Sequence, residues 1–216
     1  MKKFELTSEF VLNVFGIKLF QIKAIVPFGN VGAGELGGYI EKEENLNQGG
    51  NAWVYGDAQV YGDAQVYGNA QALGDAQVYG AAWVYGDALI SGNAQVFDDA
   101  RVYGDAWVYG DALISGNAWV SGNAWVFGDA WVKKSTHLFQ LGALGSRNGF
   151  ATFFRVKTNK IHVVCGCFLG SIEDFEKAVA ETHADTKHEK TYLLAIELAK
   201  LQIELDEIEG EEPAEE

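Results

Sequence analysis

Residues 56–71 read GDAQVYGDAQVYGNAQ, and the same six-residue phrase runs without insertion from Ala52 to Ala130, fourteen times in all. Two residues after each alanine comes Val or Ile, from Val54 to Val132, with Ala72 the one exception. The residue before the alanine is Asp or Asn except at Ala81, and glycine precedes that except at Asp98. Residues two apart in an extended chain point to the same side, so the alanine and the valine share a face. The Gly-Asp or Gly-Asn pair supplies the backbone freedom that a corner needs. Short strand, corner, short strand at a period of six predicts a solenoid, in which each unit buries its inner face only by stacking.

The phrase V-Y-G-D-A-Q resembles the hexapeptide repeat of left-handed parallel β-helices, with aliphatic, turn and small residues at matching offsets. The resemblance implies three hexads per triangular coil, hence nearly five coils and, at about 4.8 Å per rung, a prism roughly 22 Å long. Ile40 and Leu46 keep the alanine register upstream, while Thr136 and Leu138 keep both registers downstream, so the expected helix covers residues 40–138. Its ends need covering. Residues 1–39 are therefore expected to form an N-terminal β cap, residues 139–208 a C-terminal β-hairpin with two helices, and residues 209–216 a disordered acidic tail. The fold class is mainly β.

The position between alanine and valine points outward and holds tryptophan six times, among them Trp107, Trp119, Trp125 and Trp131. With three hexads per coil, Trp107 stacks on Trp125, and Trp83 meets Trp119 across Arg101. Outward aromatics in this number are costly in water. They are assigned to aromatic ladders and a homo-oligomer interface, a trimer by the resemblance; an aromatic ligand platform is the alternative.

Left-handed β-helices are often acyltransferases or zinc carbonic anhydrases, and both chemistries need histidine. The repeats between Asn51 and Val132 contain none; His137, His162, His183 and His188 all lie beyond them. No enzymatic activity, metal or cofactor is expected, and the corner aspartates are explained by their turn role without calcium. The formal charge of −14 disfavours DNA and anionic membranes as general partners. It leaves open an acidic inhibitor or DNA mimic acting on a basic protein. No run of about 18 apolar residues predicts a membrane span. Glu5, Glu9 and Lys18 interrupt the N-terminal apolar stretch, so it is read as strands rather than a secretion signal. Two cysteines in one C-x-C, Cys165 and Cys167, fit a reducing cytosol and packing on one strand face better than a disulfide framework or a zinc site.

Between Val132 and Gly170 the charge balance inverts: Lys133, Lys134, Arg147, Arg155, Lys157 and Lys160 occur with no Asp or Glu between them. The turn GALGSRNG places Ser146, Arg147 and Asn148 where backbone amides and a guanidinium can meet an anion. Arg155, Lys157 and Lys160 complete the candidate ligand site, for a nucleotide or similar anion. FATFFRVKTNKIHVVCGCFLG reads as a hairpin turning at Thr158-Asn159-Lys160. Ser171 and Asp174 open a helix ending near Thr182. A second helix spans about Lys187–Glu209, with Leu194, Leu198, Leu201 and Leu205 in a heptad-like seam that docks on the prism or packs around a symmetry axis.

The stretch GELGGYIEKEENLNQGGNAWVYGDA at residues 34–58, then the repeats, GSRNG, VVCGCFLG and ETH, is similar to a group of hexapeptide-repeat proteins of bacteriophages and prophages. That resemblance implies provenance more than mechanism: a protein of the infected host cytosol that neutralises a defence component, by capturing an anionic signal or binding a host defence protein. Scaffold and acyltransferase-like roles are the remaining alternatives.

Overall fold

The computed structural model describes residues 2–145 and 147–206. The chain opens with β1 (Phe4–Leu12), β2 (Lys18–Ala24) and β3 (Leu36–Ile40), an antiparallel meander. Fourteen two-residue strands follow at intervals of six, β4 (Trp53–Val54) to β17 (Trp131–Val132). Each of β4 to β14 pairs in parallel with the strand eighteen residues on, as Leu89 does with Trp107 and Arg101 with Trp119. Three hexads therefore make one rung, and the strands stack into three faces of a parallel β-solenoid.

Every inner alanine and valine of the repeat is buried. The core is one side chain deep on each face, which is why only small and β-branched residues fit. Ala72, the exception in the valine file, lies in register between Val54 and Ile90.

The corners explain the glycines. Gly104 has φ +75°, and a Cβ built on it would lie 2.9 Å from the Gly122 nitrogen one coil above. Asp98 occupies the same corner position with φ 57°, and its carboxylate accepts the Gly116 N–H at 3.0 Å, which offsets its strain. Gly104→Ala has no such compensation. It is expected to lower stability by about 1–2 kcal/mol from the left-handed backbone alone, read as a fall in the urea midpoint at unchanged slope.

The N-terminal cap forms as expected but joins the solenoid in a different register. Ile40 pairs with Val60 and Leu46 with Val66, twenty residues apart, so both sit in the valine file rather than the alanine file. Two additional residues between Leu46 and Trp53 carry the offset, since Trp53 already pairs with Gln71 at eighteen. Trp53 is also corrected from outward to fully buried, beneath Phe4 and Phe28. Lys3 closes the open end: its Nζ donates to the Ala52 carbonyl at 2.8 Å and lies 4.8 Å from the Phe28 ring centroid. Burial pulls its pKa down to about 8.

At the other end the parallel ladder stops at Val132, not at residue 138. The next six residues, KKSTHL, lack the corner glycine; a single 3-10 turn, Ser135–His137, takes its place. His137 is buried, and its Nδ1 accepts the Lys133 N–H at 3.2 Å. Burial, with Arg155 nearby, holds the imidazole below its ordinary pKa. Leu138 already begins a four-stranded antiparallel sheet of β18 (Leu138–Leu144), β19 (Gly149–Arg155), β20 (Ile161–Cys165) and β21 (Phe168–Ser171), two strands more than the expected hairpin. Helices α1 (Ile172–His183) and α2 (Lys187–Gln202) cover one side of it. The Ser171 hydroxyl caps α1 by accepting the Asp174 N–H. β19 alternates its faces: Phe153 packs toward the helices and Phe154 toward the solenoid. α2 ends at Gln202 rather than near Glu209; residues 207–216, including the acidic tail, lie outside the described residues.

Candidate functional site

The basic run does not gather into one site. β19 is seven residues long, which puts Arg147 before its first residue about 20 Å from Lys157 and Lys160 beyond its last. Arg155 is buried to 1% exposure and is bound to Asp206, while its Nε donates to Asn159 Oδ1 at 3.0 Å and its guanidinium lies 5.3 Å from the Trp131 ring centroid. It is a structural cation, not a ligand clamp. Lys157 donates through Nζ to the Asp111 carbonyl at 3.3 Å and through its backbone to the Asp129 carbonyl at 3.1 Å. Lys133 sits 3.6 Å from the Trp131 ring centroid, and Lys134 pairs with Glu204 at 3.2 Å. The local excess of positive charge is thus largely spent within the chain: Lys134 and Arg155 pair with Glu204 and Asp206 beyond α2, and Lys157 ties the C-terminal unit to backbone carbonyls of the solenoid. Lys160 is exposed at the same far end.

Arg147 stands apart from these. It borders two cavities, one of about 450 Å³ and one of about 290 Å³, whose walls also share Gly149 and Gly166. Among the described residues it has no salt-bridge partner. The turn carrying it is seated on α2: a Cβ on Gly145 (φ +66°) would overlap the Tyr192 hydroxyl, so only glycine allows this approach. Asn148 follows with φ 49° and is exposed; Ser146 lies outside the described residues.

The larger cavity lies between the sheet and the helices, bordered by Cys165, Phe168, Phe175, His183 and Tyr192. Phe168 and Phe175 meet at 4.9 Å between centroids, and His183 and Tyr192 at 5.4 Å. Burial raises the Cys165 thiol above its ordinary pKa, with the hydrogen bond from Tyr192 pulling the other way. Burial likewise raises the Tyr192 phenol, while Arg147 favours its ionised form. Both shifts favour the neutral form, in which each group can donate a hydrogen bond. Cys167 is exposed in the turn after Cys165, so the two thiols do not share a strand face. The smaller cavity lies between sheet and solenoid, bordered by Asn123, Trp125, Phe150 and Thr152.

The outward tryptophans divide. Trp107 stacks on Trp125 at 5.2 Å, and Arg101 lies 5.0 and 5.4 Å from the ring centroids of Trp83 and Trp119, as the eighteen-residue spacing requires. Trp119 stays half exposed, whereas Trp131 is partly covered by Lys133 and Arg155 of its own chain. The leucine seam does not dock on the prism: α2 packs inward through Tyr192, Ala195, Ile196 and Ala199, leaving Leu194, Leu198, Leu201 and Leu205 exposed, Leu201 at 79%.

Tyr192 and the aromatics of the larger cavity were not candidates from sequence. The one usable signal was that Tyr192 is the only tyrosine after Tyr109, outside any repeat. Among the described residues no cluster of three or more His, Cys, Asp or Glu forms a metal site, and no helix is long and apolar enough to cross a membrane.

A family model described as the YdcK beta solenoid repeat matches residues 94–110 and, overlapping them, 106–122. Both segments lie within the uninterrupted hexads. No curated protein matches the chain.

Proposed function

We propose that this chain is a non-enzymatic capture protein in which the solenoid is a rigid scaffold and the C-terminal unit binds a small anionic ligand. One observation carries the reading: of the six cations in the basic run, Arg147 is the one that borders the two cavities described above, and it borders both. Cavities of this size with mainly apolar walls and one fixed charge suit a small molecule with an apolar body and an acidic group. The phage-type resemblance supplies a setting, the cytosol of an infected bacterium, and a ligand class, a nucleotide immune signal. Native mass spectrometry of protein purified gently from phage-challenged bacteria with a nucleotide-signalling defence tests this. A discrete added mass per protomer, lost on denaturation, is expected. Arg147→Ala is expected to remove that mass while leaving the assembly and the thermal midpoint unchanged. A wild-type protein with no added mass, or a variant that retains it, sinks the reading.

The exposed leucines support self-association as part of the same proposal. Leu194, Leu198 and Leu201 step by four and three along α2, the spacing of a helix seam. Parallel helices fit cyclic symmetry, including the trimer implied by the resemblance. Leu198→Glu combined with Leu201→Glu is expected to give a monomer by light scattering after gel filtration, from an oligomeric wild type. A monomeric wild type would remove this part.

A further inference from the structure

The file of outward residues through Leu89, Trp107 and Trp125 points to what the smaller cavity accepts. One face of the Trp125 indole is covered by Trp107, stacked 5° from parallel. The next residue in that file, eighteen on, is Ala143, which the chain has already carried away into β18. The smaller cavity therefore borders Trp125 where the next ring of the ladder would stand. A planar aromatic group entering there continues the stack.

On the other side of Arg147 the larger cavity offers a second aromatic wall, built of Phe168, Phe175 and Tyr192. The Cys165 thiol, Tyr192 hydroxyl and His183 imidazole add hydrogen-bonding groups to it. The guanidinium stands on the wall common to both, with Gly149 and Gly166 bringing backbone rather than side chain to the junction. Aromatic, cation, aromatic is complementary to two bases joined by an anionic phosphate.

Resting on the capture reading above, we propose that the two cavities are halves of one site for a dinucleotide. One base stacks on Trp125, the linking phosphate is held by Arg147, and the second base lies against Phe168 and Tyr192. Stacking on aromatics tolerates any base, so affinity follows the number of bases more than their identity. Phosphate at a single guanidinium contributes orientation and a charge-assisted hydrogen bond.

Isothermal titration of the full chain with adenosine monophosphate and with 3′,5′-linked diadenosine monophosphate separates this from simpler anion binding. The dinucleotide carries less charge than the mononucleotide, so electrostatics alone ranks the mononucleotide first. The expected result is the reverse, with the dinucleotide at least about tenfold tighter. Trp125→Leu is expected to weaken the dinucleotide by about tenfold or more, and Trp125→Phe to restore most of that loss. Phe168→Ala is expected to erase the dinucleotide's advantage; thermal melts of each variant control for folding. Equal or weaker binding of the dinucleotide overturns the proposal, as does an unchanged affinity in Trp125→Leu. If the Arg147-dependent mass persists while the dinucleotide fails, capture stands and the two-base site falls. If that mass is absent too, both fall.

Discussion

Trp53→Ala is expected to destabilise the protein by about 3–5 kcal/mol, the range for removing a buried tryptophan, and to do so at one end of the molecule. Trp53 has no exposed surface and lies edge-on to Phe28 at 5.3 Å and Phe4 at 6.2 Å. Gly37 packs against it so closely that a Cβ there would lie 2.7 Å from its ring. It is the one tryptophan of the repeat that the β1–β3 meander covers, so the substitution removes the joint between cap and first coil. In a solenoid each rung contacts only its neighbours, so damage at a terminus stays near it until the exposed end unravels. Hydrogen exchange is expected to show lost protection across residues 4–40 and in the Trp53–Val54 strand first, with the strands near Trp107 keeping theirs. Trp53→Phe distinguishes volume from polarity. The indole Nε1 is buried without a hydrogen-bond partner, so phenylalanine removes an unsatisfied donor while keeping most of the packing. A cost below about 1.5 kcal/mol is expected for it. Uniform loss of protection along the whole solenoid in Trp53→Ala would refute the local joint.

The solenoid was legible because its instructions are local and repeated. Glycine at a left-handed corner and alanine and valine on one side of a short strand follow from the hexad; the eighteen-residue rung was implied by the resemblance to left-handed β-helices, and the Trp107–Trp125 and Trp83–Arg101–Trp119 contacts follow from that rung. Periodicity misled where the spacing persisted but the geometry did not. Leu46 and Thr136 are spaced as repeat residues, yet two extra residues before Trp53 and the missing glycine after Val132 end the regular ladder between them. The candidate site was legible only in part. A glycine-rich turn with one arginine marked Arg147, but the same logic gathered Arg155, Lys157 and Lys160, which are neighbours in sequence and stand at the opposite end of a strand. Tyr192 reaches the site through the fold of α2 back onto the Gly145 turn, a contact between residues 47 apart that no local pattern encodes.

The ion pair of Arg155 and Asp206 gives the second large effect, and its two halves are not equivalent. The Arg155 side chain is 1% exposed and the Asp206 side chain 60%. Removing the aspartate leaves a guanidinium buried against Trp131 with Asn159 as its remaining side-chain acceptor among the described residues. Removing the arginine instead returns a carboxylate to water, where its solvation is cheap. Stranding one charge of a buried pair costs about 3–5 kcal/mol, and the partial exposure here places Asp206→Ala near the lower end. Arg155→Met, which keeps apolar cover over Trp131, is expected to cost less than half as much. Combining the two should recover most of the loss, a coupling of about 1–3 kcal/mol in a double-mutant cycle. The loss is expected to concentrate at the α2 exit, because Asn159 also accepts the Asp206 N–H at 2.9 Å and donates to its carbonyl at 2.8 Å. Urea unfolding of the four proteins measures the cycle. Equal costs for the two single substitutions would mean that the pair behaves as an ordinary surface bridge, and that the buried guanidinium is satisfied by something other than Asp206.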